Sequence, residues 1–216
     1  MKILIIDPER EVSHRISKDT SGGYGTGNDF GDTIVPTFLK KTLKVVHGWA
    51  PMFAVYTIAV LKKNGHDVHY SKILPNDLDL FDLYIVVSSI VCCETECANI
   101  KNIVQLNKKV LVIGPFATSN PKKYIDAGGT VILGEPEFFF MKNKDLSEIE
   151  NNKIISFQHD FILDDLPYPD WESVSKNTNA SSLFGGGKSL PILATRGCPY
   201  SCFKYCVYPL QQGRKP

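Results

Sequence analysis

The sequence predicts an α/β protein built on one open, doubly wound parallel sheet of five strands. Three observations predict it. Short, continuous apolar runs recur along the chain without in-and-out alternation, the pattern of strands covered on both faces. Helical patterns separate these runs, several with Pro at the start and Gly or Asn at the end. The chain has 216 residues, 43% of them apolar, enough for one domain of ordinary size with a short extension.

Taken in order, Ile3–Ile6 reads as the first strand, closed by Asp7-Pro8. Pro51 opens a helix that reaches Lys63, apolar on most faces, and Asn64-Gly65 ends it. Val68–Tyr70 is a weaker second strand and Leu83–Ser88 the third. From Thr95 to Leu106, Cys97, Ile100, Ile103 and Val104 share one helical face, so this helix lies against a sheet. Val110–Ile113 is the fourth strand, Pro121–Ala127 a helix stopped by Gly128-Gly129, Thr130–Leu133 the fifth strand and Pro136–Lys142 the last helix. Strand and helix alternating in this way form right-handed βαβ units. The expected strand order is the flavodoxin-like (Rossmann-like) 2-1-3-4-5, with a ligand crevice at the carboxyl ends of the strands.

Two stretches exceed that minimal fold. Residues 9–50 form a long insertion that includes Ser21-Gly22-Gly23-Tyr24-Gly25-Thr26-Gly27, and connections of such length are commonly functional. Residues 143–190 are polar, rich in Asn, Ser and Gly in their second half, and read as a linker. The expected division is therefore 1–142 as the α/β domain, 143–190 as linker and 191–216 as the start of a further domain.

Lys plus Arg number 24 against 23 Asp plus Glu, a net charge of +1, so nothing electrostatic argues for nucleic acid or an anionic membrane as partner. The uncharged stretch Gly48 to Leu61 is too short to span a bilayer, and the apolar run at the N-terminus is too short for a signal-peptide core. A soluble cytoplasmic protein is expected. In that compartment six cysteines point to metal or redox chemistry, or to core thiols, ahead of disulfides.

Three of the six crowd the end of the chain, in Thr195-Arg196-Gly197-Cys198-Pro199-Tyr200-Ser201-Cys202-Phe203-Lys204-Tyr205-Cys206. Thiolates are soft ligands that select zinc, cuprous copper or iron–sulfur clusters. Zinc sites usually present Cys-x2-Cys knuckles and four ligands, and neither is seen. Cys198, Cys202 and Cys206 on a four-iron cluster would leave one iron open. The alternative is a helix from Pro199 with Cys202 and Cys206 as core thiols.

The cysteine segment resembles the cluster loop of the radical S-adenosylmethionine enzymes. The resemblance implies a 4Fe-4S cluster on Cys198, Cys202 and Cys206, with S-adenosylmethionine chelating the fourth iron and being cleaved to a 5′-deoxyadenosyl radical. It places Tyr205 near the adenine. The spacing here, Cys-x3-Cys-x3-Cys, is one residue longer than the family's Cys-x3-Cys-x2-Cys. The preceding chain resembles the cobalamin-binding domain of one subgroup of that family. The matching pieces are Trp49-Ala50-Pro51-Met52, Lys63-Asn64-Gly65-His66-Asp67-Val68, Tyr84 through Ser89, Gly114-Pro115-Phe116-Ala117-Thr118, Gly134-Glu135-Pro136-Glu137 and Leu166-Pro167-Tyr168-Pro169-Asp170-Trp171.

What the resemblance implies is a corrinoid at the carboxyl edge of the sheet, approached by Ser88, Ser89, Gly114, Pro115, Gly134 and Glu135. Hydrogen bonds from Ser88 and Ser89 would serve its nucleotide tail, and Gly114 would allow close backbone approach. The Asp-x-His-x-x-Gly motif of cobalamin enzymes with a histidine ligand is absent: Asp7-Pro8-Glu9-Arg10 lacks the histidine. The implied chemistry is reductive cleavage of S-adenosylmethionine, often coupled to methyl transfer, and the implied partner is the rest of the barrel. A single barrel strand and loop are not expected to turn over alone. A rival expectation is a non-enzymatic flavodoxin-like small-ligand module with a vestigial cysteine tail.

Other features carry less. Cys92, Cys93 and Cys97 follow the third strand, but Cys97 belongs to the apolar stripe and reads as a core thiol. Gly185-Gly186-Gly187-Lys188-Ser189 lacks both the first glycine and the strand–helix context of a phosphate loop. His66 and His69 read as locally satisfied, and Asp164-Asp165 as a turn.

Overall fold

The computed structural model describes residues 1–9, 33–35, 38, 50–157, 162–176, 190–197, 200 and 206–212. Among the described residues six parallel strands form one open sheet in the order β2-β1-β3-β4-β5-β6. They are β1 (Lys2–Ile6), β2 (Asp67–Ser71), β3 (Leu83–Val87), β4 (Lys109–Ile113), β5 (Thr130–Ile132) and β6 (Ile154–Ile155). The α-helices whose bounds fall within the described residues are α1 (Met52–Lys63), α2 (Cys93–Gln105), α3 (Pro115–Ser119), α4 (Pro121–Asp126), α5 (Pro136–Lys142) and α6 (Tyr208–Gln212). The 2-1-3-4-5 order is present as expected, and the count of five is corrected to six. The addition, β6, comes from the stretch read as linker. At two residues it is too short to show a period, and its exposed Ile154 hides its membership.

The absence of alternation in the apolar runs has a direct cause. Successive side chains of a strand point to opposite faces, and here both faces are covered. Ile3, Ile5, Leu83, Ile85, Val87, Leu111, Ile113 and Ile132 pack with α1 and α5 in one core. Leu4, Ile6, Tyr84, Val86, Val110, Val112 and Val131 pack with α2, α3 and α4 in the other. The stripe expected on α2 is there: Cys97, Ile100 and Ile103 are buried in the second core. Three helices, α3, α4 and α5, begin on Pro115, Pro121 and Pro136, each at a position where the missing N–H costs no hydrogen bond. Pro51 instead caps α1 from outside, with extended backbone.

Much of 143–176 packs on this domain. Leu146 and Val174 are fully buried, and Ile149, Phe157, Leu166 and Trp171 lie against the first core. Asp170 clips the segment to α1: its N–H donates to the Val55 carbonyl, and its carboxylate accepts from Lys62 at 2.7 Å and from Ser173. Burial raises the Asp170 pKa, but hydrogen bonds from Lys62 and Ser173 and the Lys62 charge outweigh it, so the carboxyl sits below its ordinary value. A depressed carboxylate contributes stability that is present above its unfolded pKa and lost as pH falls through the folded one. An Asp170→Asn variant should therefore lose up to about 1 kcal/mol near neutral pH, with Lys62 half exposed and the pair screened. The difference from wild type should begin to shrink near pH 4, about the unfolded carboxyl value, and be gone only below the lowered folded one in urea titrations; a difference constant down to pH 2 would remove the carboxylate from the explanation.

Among the described residues no helix is long and apolar enough to cross a membrane. The insertion 9–50 lies almost wholly outside the described residues, as does Gly185-Gly186-Gly187-Lys188-Ser189.

Candidate functional site

Parallel strands deliver their following turns to one edge, so β3, β4 and β5 bring three turns side by side at their carboxyl ends. Hydrogen bonds knit these turns into a row. The Ser88 N–H donates to the Ile113 carbonyl at 2.8 Å, and the Ser88 hydroxyl accepts the Ala117 N–H at 3.0 Å. The Thr118 hydroxyl donates to the Gly114 carbonyl at 3.0 Å and accepts the Gly134 N–H at 3.1 Å. The expected residues Ser88, Ser89, Gly114, Pro115, Gly134 and Glu135 thus share one edge.

Their roles there are largely internal. Ser89 is spanned by the fully buried Glu96 of α2: its N–H and hydroxyl donate to that carboxylate at 3.1 and 2.8 Å, while its oxygen accepts the Cys92 N–H. Tyr124 donates its hydroxyl to the same carboxylate at 2.5 Å. Burial and the Glu96 charge push the Tyr124 hydroxyl far above its ordinary pKa, so it stays a donor. Gly114 has φ +112°, and a Cβ there would meet the Phe53 ring at 2.8 Å and the Ser88 hydroxyl at 2.9 Å. Pro115 is half buried at the first turn of α3. At the neighbouring strand end, Tyr70 donates its hydroxyl to buried Asp7 at 2.6 Å.

Glu135 meets the cysteine segment. Arg196 of the Thr195-Arg196-Gly197 lead-in, 6% exposed, places Nη1 2.6 Å from Glu135 Oε1 and against Glu137 Oε1. Its guanidinium lies over the Tyr56 ring of α1, 4.9 Å from the centroid, with Phe138 of α5 at 6.0 Å. Burial and the Glu137 charge lift the Glu135 carboxyl to about 7, while Arg196 pulls it down. Nη2 of Arg196 and Oε2 of Glu137 are buried without a hydrogen-bond partner.

Beyond the cysteines, α6 packs on α3, where its Gln211 is buried with Oε1 unpartnered. Both flanks of the cysteine segment are thereby held at the carboxyl edge of β4 and β5. Cys206 is a half-buried free thiol; Cys198, Cys202 and Tyr205 lie outside the described residues.

Arg196 and Glu137 stood inside motifs quoted from the sequence, yet no spacing rule pairs residues 59 apart. Glu96 could have been found as an acid in the first turn of a helix that follows a serine turn. Elsewhere, Cys92, Cys93 and Cys97 are buried, and burial pushes the Cys97 thiol up to about 12, which keeps it protonated and inert. His66 hydrogen-bonds the Lys144 carbonyl, His69 contacts Asp67, and Asp164 and Asp165 lie in a short 3-10 turn.

Fold and site together define an open parallel α/β protein with a turn-built polar edge and a cysteine segment fastened to it. No family model, curated protein or solved structure matches the chain.

Proposed function

We propose that this chain is the amino-terminal part of a cobalamin-dependent radical S-adenosylmethionine protein. In this reading the α/β domain takes a corrinoid at the carboxyl edge of its sheet, and Cys198, Cys202 and Cys206 take a 4Fe-4S cluster. The observation that carries the reading is that the cysteine segment is fastened at both ends to the edge where α/β proteins bind ligands. Two cofactor sites of one reaction need that proximity.

The donor set suits the cluster: three soft thiolates with no fourth cysteine in the segment 195–216, which leaves an iron for S-adenosylmethionine. When bound, such a cluster supplies the electron for reductive cleavage of S-adenosylmethionine. For the corrinoid the edge offers less than the sequence suggested. Ser89 is committed to Glu96 and Cys92, whereas Ser88 uses its oxygen for Ala117 and keeps a hydroxyl proton for a ligand. The barrel that would complete the S-adenosylmethionine pocket and hold a substrate is the implied partner.

The rival is a flavodoxin-like binding module with a vestigial cysteine tail, favoured by the extra residue before Cys206. Anaerobic reconstitution with iron and sulfide separates the two. The cluster reading expects a broad visible absorbance and roughly four irons per chain, both lost in Cys198→Ala/Cys202→Ala. A wild-type chain that stays colourless sinks it. Equilibrium dialysis against hydroxocobalamin tests the other half, and no retention at saturating ligand removes the corrinoid.

A further inference from the structure

We infer that Arg196 is the positioning residue of the cysteine segment, a buried cation that pins the segment's lead-in to the β5–α5 turn and so limits how far from it the first cysteine can stand. The inference deepens the cluster reading and, for the metal, rests on it.

Three elements grip one side chain: the turn bearing Glu135, the start of α5 bearing Glu137, and the Tyr56 face of α1. Such a joint is a poor choice for stability alone. Burying an ion pair costs several kcal/mol of desolvation per ion, and apolar packing of similar volume usually does as well or better. This joint is also imperfectly satisfied, since Arg196 Nη2 and Glu137 Oε2 have no partner. Its value lies in register: a charge with two buried counter-charges has one place to sit, whereas an apolar side chain can slide.

The register reaches the thiols through covalent geometry. Cys198 follows Arg196 by two residues, which keeps their Cα atoms within roughly 7 Å. Cys206 precedes the first residue of α6, Tyr208, by the same two residues, and α6 is seated on α3. The outer cysteines are thus each tied closely to an anchored point. Fixing both ends removes conformational freedom before any metal arrives, and a preorganised ligand set binds more tightly than a free one.

Both carboxylate contacts converge on one nitrogen, Nη1. A lysine ammonium can occupy that position, so Arg196→Lys should retain the function that Arg196→Met loses.

The test uses the full chain, first without metal. Trypsin should cut after exposed Lys176 and spare the Arg196–Gly197 bond in wild type. In Glu135→Gln/Glu137→Gln, which leaves Arg196 buried without counter-charge, cutting after Arg196 should rise roughly tenfold or more relative to Lys176. In Arg196→Met, alkylation of Cys198, the thiol two residues from the joint, should accelerate by a similar factor while near-ultraviolet dichroism of the α/β domain is kept, and Arg196→Lys should return the rate toward wild type. Unchanged cleavage in the double variant together with unchanged alkylation in Arg196→Met overturns the inference. After reconstitution, Arg196→Met should retain less iron with an altered paramagnetic resonance spectrum, rescued by lysine. Wild-type iron uptake with an identical spectrum in Arg196→Met overturns the positioning role. No uptake in wild type overturns the cluster reading, and the two metal-free measurements then decide the joint alone.

Discussion

A Glu96→Ala variant should lose about 3 kcal/mol of folding stability, because three donors converge on that one buried carboxylate. The donors are unequal. Ser89 is half exposed, so water can reach its N–H and hydroxyl once Glu96 is gone. Tyr124 is fully buried, and its hydroxyl would be left without an acceptor in an apolar setting. Most of the loss therefore comes through Tyr124, and the cycle with Tyr124→Phe should show it: removing the hydroxyl first should make Glu96→Ala cheaper by at least about 1 kcal/mol. Urea unfolding of the four proteins measures this. Additive costs would mean that Glu96 and the Tyr124 hydroxyl are not coupled, and that the loss does not run through Tyr124. The result bears on the site, since Glu96 is what ties the Ser89 turn to the start of α2 and to α4.

The backbone scheme was legible in the sequence because it rests on local signals. Apolar runs such as Leu83–Val87, proline starts such as Pro136 and the Asn64-Gly65 stop each reflect chemistry within a few residues. What escaped was short or long-range. Helix α3 is a single turn begun by Pro115, too brief for a periodic pattern, and β6 exists only because β5 offers it an edge. At the site, the turn residues were placed correctly on one edge by the parallel topology alone. Their partners were not legible: Ser89 with Glu96, Gly114 with Phe53, and Glu135 with Arg196 are tertiary pairings that no spacing specifies. Ser88, Ser89 and Glu135 bond the protein's own neighbours, which makes the row of turns rigid. That rigidity suits a preformed site.

Gly114→Ala should be as damaging as the loss of Glu96, at about 3 kcal/mol, and for two separable reasons. The first is backbone. At φ +112° and ψ 177° the residue occupies a region that is essentially glycine-only, so any side chain is strained there whatever the space. The second is contact. The added methyl would stand 2.8 Å from the Phe53 ring and 2.9 Å from the Ser88 hydroxyl, both inside van der Waals limits. The ring can yield, being half exposed on α1, but moving Ser88 breaks the bond it accepts from Ala117 and unpins the β3 and β4 turns. A Phe53→Leu background should therefore recover the ring's share and leave the strain and the serine displacement. If the variant costs the same in both backgrounds, the ring was never limiting, and backbone strain and the Ser88 displacement carry the whole effect. A total below about 1 kcal/mol would show that the turn rearranges freely, and the edge would then be a pliable surface instead of the preformed one that a large planar ligand requires.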